Sequence, residues 1–367
     1  MVRRSQAQAN VAEADTPSSG KRRKVEQQKE GIARPSQDGQ PAADTFQPRH
    51  DHLWFSDGNV VVAAKGMNFK MHAGILSWNS GVFKVLLDGA QADGGGAETW
   101  EGCRVLRVED DGTSLAELFM VLYDGGRSGF FDWKKSIELF HLREITLLAL
   151  RYKIQHIVDE AVARLEHLFP TTFTPDRLGV NSFIEGIEDF PVSIVDVEHL
   201  VAVIDLARRI DSENPPAFIA TALYHCVNLN VRYLFDVIPF DGGAVALSPA
   251  DRDLCLAKAD SMLLYGYVVR QPVTGALEKP LCPNKTCHAA LQSVVCKWIR
   301  TKAFMDYCPL AAVSVDLEQP SPDHPDRKIC KGCKTGLQDA IEQQQRQVFE
   351  GLGKLFKIST WPAPIQA

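Results

Sequence analysis

The chain has 367 residues, 45% of them hydrophobic and 23% charged, and a formal net charge of −6 at pH 7. That length and balance suit a mostly globular protein of about two domains with a buried core. They argue against a general nucleic-acid binder, which would carry a basic surplus. No run of about eighteen apolar residues predicts a membrane span. The polar start lacks the apolar segment of a secretory signal. Nine cysteines without such a signal are therefore expected as thiols or metal ligands rather than disulfides.

In chain order, residues 1–48 are rich in Gln, Ala, Ser, Pro and charge. Such a segment cannot bury enough apolar surface to offset its ordering entropy, so it is expected to be a disordered tail. It carries the basic run Lys21-Arg22-Arg23-Lys24. Such a run can lie extended in an acidic groove of a nuclear import receptor, and resembles a monopartite nuclear localisation signal. The alternative is a solvated charge run.

The segment from Phe55 to Gly89 organises the rest of the chain. Val60 to Ala64 is a β-branched run, Lys65-Gly66 a turn, and Met67, Phe69 and Met71 alternate with Asn68 and Lys70. This pattern predicts a hairpin whose second strand is half-buried. Ile75 and Leu76, then Val82, Phe83, Leu86 and Leu87, predict two short helices, with Ser80 capping the second.

These residues resemble the opening of a BTB/POZ domain: an Asp, a Val-rich strand, a turn, Phe69-x-x-His72, Leu76-Ser77 and Ser80-x-x-Phe83. The resemblance implies an interaction module rather than an enzyme. It also implies self-association, with Asp57 and Lys70 near each other in a groove at the interface. His72 would be a fold residue, hydrogen-bonded in the core. Departures exist, since Gly58-Asn59 separates Asp57 from the strand and Ala73 follows the His.

Beyond Gly89, the stretch 91–102 reads as a loop carrying Gly94-Gly95-Gly96. Arg104 to Val108 alternates and predicts a strand. Ser114-Leu115-Ala116-Glu117 has capping-box spacing, and Leu115, Leu118, Phe119 and Leu122 succeed it at helical intervals, ending at Gly125-Gly126. Residues 137–169 read as largely helical. Tyr152-x-Ile154 resembles the helix near the close of BTB domains. Pro170 ends the last helix, so the domain is placed at residues 49–170.

Residues 171–367 are predicted to be all-helical. Leu200 to Leu206 and Ile219 to Cys226 carry helical stripes, Asp241-Gly242-Gly243 reads as a loop, and the helical period runs to about Gln271. Ser248-Pro249-Ala250-Asp251 is a helix start with a capping Ser, Pro in the first turn and an Asp at the positive end. Cys226 and Cys255 fall among apolar residues and read as core thiols. A last helix is expected over about Leu337 to Leu355.

Cys282-x4-Cys287 and Cys330-x2-Cys333 have the spacing that lets two thiolates of one loop reach a single tetrahedral zinc. Their separation exceeds that of a compact finger, so the ion would clip the last helix to the helical region. His288, Cys296 and Cys308 are substitute ligands. The alternative is scattered reduced thiols. The Cys-x-x-Cys, the polar helix after it, Phe349-x-x-Leu352-x-x-x-Phe356 and Trp361-Pro362 resemble the C-terminal region of BTB-domain proteins of mushroom-forming fungi, as does Leu247-Ser248-Pro249.

His72 has no Ser or Cys nucleophile motif beside it, and neither a Gly-x-Ser-x-Gly nor a His-Glu-x-x-His nor a dinucleotide loop is present. No enzyme and no organic cofactor are therefore expected. The fold class is α+β: a BTB/POZ domain with a short mixed sheet covered by helices, then a helical region with a cysteine cluster. The expected function is BTB-mediated homo- or hetero-oligomerisation in the nucleus, for instance in transcriptional control. One alternative is an adaptor for a cullin ubiquitin ligase, for which Thr99-Trp100-Glu101 is a poor match to the usual hydrophobic-x-Glu element. The other is a zinc-dependent nucleic-acid binder, disfavoured because residues 282–333 lack a dense basic helix with aromatics. Expected partners are itself or another BTB protein and an import receptor, with a cullin in the adaptor reading; no membrane partner is expected.

Overall fold

A computed structural model describes residues 47–92, 98–124, 129–174, 178, 191–193, 199–227, 231–240, 243–301, 309–310, 317 and 328–362. The basic run 21–24, the glycines 94–96 and 125–126, the turn 241–242 and Cys308 lie outside them. The fold is mixed α+β, with helix predominating. Among the described residues no helix is long and apolar enough to cross a membrane.

The β-branched run and the alternating run form the predicted hairpin, β2 (Val60–Lys65) and β3 (Met67–Met71), paired antiparallel with Val62 opposite Phe69. Gly66 makes the turn at φ +84°, where a side chain would be strained. β5 (Cys103–Asp111) runs parallel to β2, and β4 (Thr99–Trp100) lies antiparallel outside it. A strand the sequence pattern did not announce, β1 (Arg49–Trp54), adds parallel to β3, giving the order β1-β3-β2-β5-β4.

The sheet is closed on both faces, which corrects the half-buried expectation for β3. Val60, Val62, Phe69, Met71 and Leu106 face the main core. Val61, Ala63, Cys103 and Val105 face a second cluster, packed against Trp54 and Trp100. Those two indoles come from opposite edge strands and meet edge to face, 4.9 Å between ring centres. The Arg49 guanidinium lies over both rings, at 4.5 and 5.1 Å. Only a curled sheet brings its edges together in this way. Lys70 does leave the Phe69 face, but this roof buries it.

Two helices come next, α1 (Ala73–Asn79) and α2 (Gly81–Ala92). Ser80 Oγ accepts the Phe83 N–H at 3.0 Å, the expected cap, and donates to the Tyr152 carbonyl at 2.5 Å. α3 (Gly112–Asp124) starts two residues before Ser114. Its cap is Asp111, whose carboxylate accepts the Ser114 N–H at 3.0 Å, so the helix is capped three residues before the predicted box. Phe119 of α3 meets Phe69 edge to face, and Phe83 stacks on Tyr152 at 4.2 Å.

α4 (Leu139–Tyr152) and α5 (Gln155–Leu168) are joined through Lys153 in the left-handed region. Arg164 of α5 is fully buried. Its guanidinium donates to the carbonyls of Gly129, Phe130, Lys135 and Pro191, and to Glu160. It thereby ties residues 129–135 and the two-stranded ladder β6 (Ile137–Glu138) with β7 (Val192–Ser193) onto α5.

Pro170 ends α5, yet the core does not stop there. Thr221 donates to the Pro170 carbonyl at 2.8 Å, and Arg143 pairs with Asp205 at 2.8 Å. One apolar cluster runs from Leu53 to Ile358. It includes α6 (Leu200–Ile210) and the wholly buried α7 (Ile219–Val227). The C-terminal region is not all-helical: besides β7, a hairpin of β8 (Ile238–Phe240) and β9 (Gly243–Val245) comes after the short α8 (Val231–Phe235). Burial of Phe240 and Val245 explains it.

α9 (Pro249–Glu278) starts as predicted, with Ser248 accepting the Asp251 N–H at 3.1 Å. Asp251 also takes a paired contact from Arg208. The helix runs through Pro272 to Glu278, past the expected end near Gln271. Val269, Val273 and Ala276 are buried on either side of the proline, and that packing offsets its missing hydrogen bond. α10 (Lys285–Thr301) and α11 (Lys331–Glu350) pack against α9. α12 (Leu352–Phe356) closes the fold. At Gly353 an added Cβ would lie 2.3 Å from Trp361 Cβ, so only glycine admits that indole.

Candidate metal centre and exposed surface

Four cysteines from two distant segments converge. Cys282 lies in the turn between α9 and α10, and Cys287 in the first turn of α10. Cys330 is the N-cap of α11 and Cys333 its third residue, which is why this helix starts six residues before the expected Leu337. The four sulfurs all lie within 4.8 Å of one another. Cys330 Sγ is 3.9 Å from both Cys282 Sγ and Cys287 Sγ, and none of the four is in a disulfide.

Zinc–sulfur bonds of about 2.3 Å in a tetrahedron require sulfurs about 3.8 Å apart. The two Cys330 contacts match that distance, and the remaining sulfur pairs are within 4.8 Å. Four thiols this close repel one another once ionised, so the donor set suits a soft divalent cation and leaves it no open position. Hydrogen bonds from the Cys333 backbone N–H and then from the neighbouring thiols hold the Cys330 thiol down at about 7. Burial pushes the Cys287 and Cys333 thiols up. The substitute ligands do not join the cluster: His288 Nε2 lies 3.1 Å from the Leu277 carbonyl, and Cys296 is exposed. Cys226 and Cys255 are buried core thiols that hydrogen-bond each other.

Asp57 and Lys70 take different partners. Asp57 lies 3.3 Å from His72 Nε2, and Lys70 lies 3.6 Å from Glu101. Glu101 also pairs with Arg49 at 2.5 Å, so Thr99-Trp100-Glu101 is engaged within the chain. His72 is about one quarter exposed rather than in the core. Its backbone N–H donates to Tyr123 Oη at 2.9 Å. Phe55 packs on both rings, 5.1 Å from His72 and 4.9 Å from Tyr123.

Two features escaped the sequence pattern. The first is an exposed apolar surface: Trp78 of α1 is 90% exposed, with Ile75 one turn back on the same face, and Val85 and Leu86 are exposed on α2. The pattern used Ile75 and Leu86 to predict the two helices, but an apolar period cannot say which face lacks a partner. The second is a pair of adjoining cavities of about 530 and 630 Å³, sharing Thr113, Glu117 and His141. Their walls come from β1, α3, α4 and β9, so no local motif could mark them.

In comparison with known proteins, no family model matches this sequence, and no curated protein matches it significantly.

Proposed function

We propose that this chain is a protein–protein interaction module of the BTB/POZ kind, not an enzyme, which self-associates in the nucleus and carries one structural zinc. The observation that carries the reading is Trp78, 90% exposed on α1. An indole left in water forgoes the burial of about 150–250 Å² of surface, and a cluster of exposed apolar residues of this kind marks an interaction site. Ile75 on the same helix face, and Val85 and Leu86 on the adjoining α2, extend it. A second copy offers the same residues, so a two-fold interface would be self-complementary. Asp57, in the turn between β1 and β2, is exposed and would meet a partner's charge directly, whereas Lys70 is buried against Glu101 and would act through that pair.

In the C-terminal region, Cys282, Cys287, Cys330 and Cys333 would hold the zinc and fix α11 to the α9–α10 turn. Four thiolates saturate the ion, so it would hold structure rather than activate water. The basic run Lys21 to Lys24 supports import to the nucleus, where oligomerisation would serve assemblies such as those of transcriptional control.

Light scattering on the full chain tests the central reading. A dimer is expected at high micromolar concentration, and Trp78→Glu is expected to give a monomer with unchanged zinc content. A wild-type monomer under the same conditions would overturn it. Metal analysis should find one equivalent of zinc, and less than a tenth of an equivalent removes the metal.

A further inference from the structure

We infer that the cysteine cluster is a redox-convertible clip, in which oxidation by a hydroperoxide joins Cys282 to Cys330 and replaces the metal by a covalent link between the same two segments. The metal-release half of this inference rests on the zinc assignment above; the cross-link half rests on the sulfur geometry alone.

Within a cluster whose sulfurs all lie within 4.8 Å of one another, Cys330 is 3.9 Å from both Cys282 and Cys287. Exposure separates these two partners. Cys282 and Cys330 are part-exposed, whereas Cys287 and Cys333 are buried. An oxidant arriving from solvent therefore meets Cys282 and Cys330. Backbone freedom separates them as well. Cys282 precedes α10, which begins at Lys285, and Cys330 precedes the first residue of α11, with an extended backbone at ψ 153°. Both can turn to close their gap to the disulfide distance of about 2.05 Å without unwinding a helix. Cys287 and Cys333 lie within helices.

The chemistry balances with a hydroperoxide as the oxidant. The Cys330 thiolate attacks one peroxide oxygen, the O–O bond breaks, and hydroxide leaves to take a proton as water. Cys330 is then a sulfenic acid. The Cys282 thiolate attacks that sulfur, the S–S bond forms, the S–O bond breaks, and the second hydroxide leaves as water. The two sulfurs together lose two electrons and the peroxide gains two. Half of the donor set is consumed, and the remaining pair cannot hold zinc. The link nevertheless joins the α9–α10 turn to the start of α11, the two segments that the thiolates brought together. Oxidation thus discharges metal while keeping the last helix docked, unlike removal of metal by a chelator.

The test treats the full-length, zinc-loaded chain with hydrogen peroxide. Released zinc is tracked with a chromogenic chelator, and cysteines are mapped by mass spectrometry after alkylation without reduction. One equivalent of zinc should be released together with a Cys282–Cys330 cross-link, with Cys287 and Cys333 still alkylated. Dithiothreitol and zinc should reverse both changes. Limited proteolysis should find α11 protected in the zinc-loaded and in the oxidised protein, and cleaved in the reduced, chelated protein. A Cys282–Cys287 or Cys330–Cys333 link, zinc release with no cross-link, or cleavage of α11 in the oxidised protein would overturn the inference. If the isolated chain holds no zinc, the metal assignment fails. The reduced, metal-free chain then decides the rest: formation of the Cys282–Cys330 link sustains the cross-link, and its absence removes it.

Discussion

The sheet region and the cysteine-tied helices hold together by different means. In the sheet region the cohesion comes from large side chains: Phe69, Phe83 and Phe119 are all fully buried and touch in sequence, and Tyr152 stacks under Phe83. Its polar groups close the margin of that packing, with Tyr152 and Asp110 buried and Arg151 largely exposed. Tyr152 donates to Asp110 at 2.6 Å, and Arg151 pairs with the same carboxylate. α11 has far less to bury. Its inward stripe is Cys333, Leu337, Ile341, Gln345 and Val348, about one residue per turn, and Phe349 joins it only in the last turn. Along most of its length so thin a stripe secures a helix weakly; the large side chain is at its end, and four cysteines converge at its start. This fold thus buries large apolar side chains in its sheet region, and brings four thiols together at the start of a mostly polar helix.

The largest expected effect falls on the second region alone. If the proposed zinc is bound, chelating it should remove binding free energy on the order of 10 kcal/mol, as for structural zinc in small modules. Limited proteolysis should then cut within α11 while the segment from Arg49 to Leu168 stays resistant. Simultaneous loss of both would erase the distinction.

The next effect falls on the first region. Phe119→Ala should cost about 3–5 kcal/mol by leaving a cavity between Phe69 and Phe83. Chemical denaturation measures that loss, and the zinc content of the folded protein should not change.

The core that both regions share should respond to pH. His225 on α7 is buried and its pKa is pushed down to about 3, so it folds neutral. Protonation in the unfolded chain, at a pKa of about 6.5, therefore opposes folding. The contribution of His225 to stability is fully present above that ordinary pKa and is lost as pH falls from there toward about 3. At a pH of about 4.5 the loss should be about 3 kcal/mol. His225→Phe should flatten the stability-versus-pH curve over that window; an unchanged slope would assign the loss to other groups.

The smallest effect tests how much the exposed side of α11 adds to its packing on α9 and its cysteines. Arg346 pairs with Glu342 at 3.3 Å on the exposed side of α11 and lies 4.9 Å over the Phe173 ring. Arg346→Ala should cost about 0.5–1 kcal/mol. A larger loss in a thermal melt would show that this exposed side is a further tie of α11.

Much was legible in the sequence wherever the cause is local. Period two and a glycine turn specified the β2–β3 hairpin; a hydroxyl three residues before Phe83 or Asp251 specified two helix starts; and paired cysteine spacing named the four sulfurs that meet. These features depend on residues a few positions apart, or on a spacing that chemistry alone requires. What only the tertiary structure decided depends on residues far apart. β1 has no strong pattern and exists because β3 offers it an edge. Lys70 is buried because Trp54 and Trp100 arrive from opposite edges of a curled sheet. α9 continues through Pro272 because Val269, Val273 and Ala276 find a core there. Arginine is seldom fully buried, yet Arg164 is, with four backbone carbonyls converging on its guanidinium. The same limit hid the exposed face of Trp78, since an apolar residue declares what it would bury and not whether the fold has left anything to bury it against.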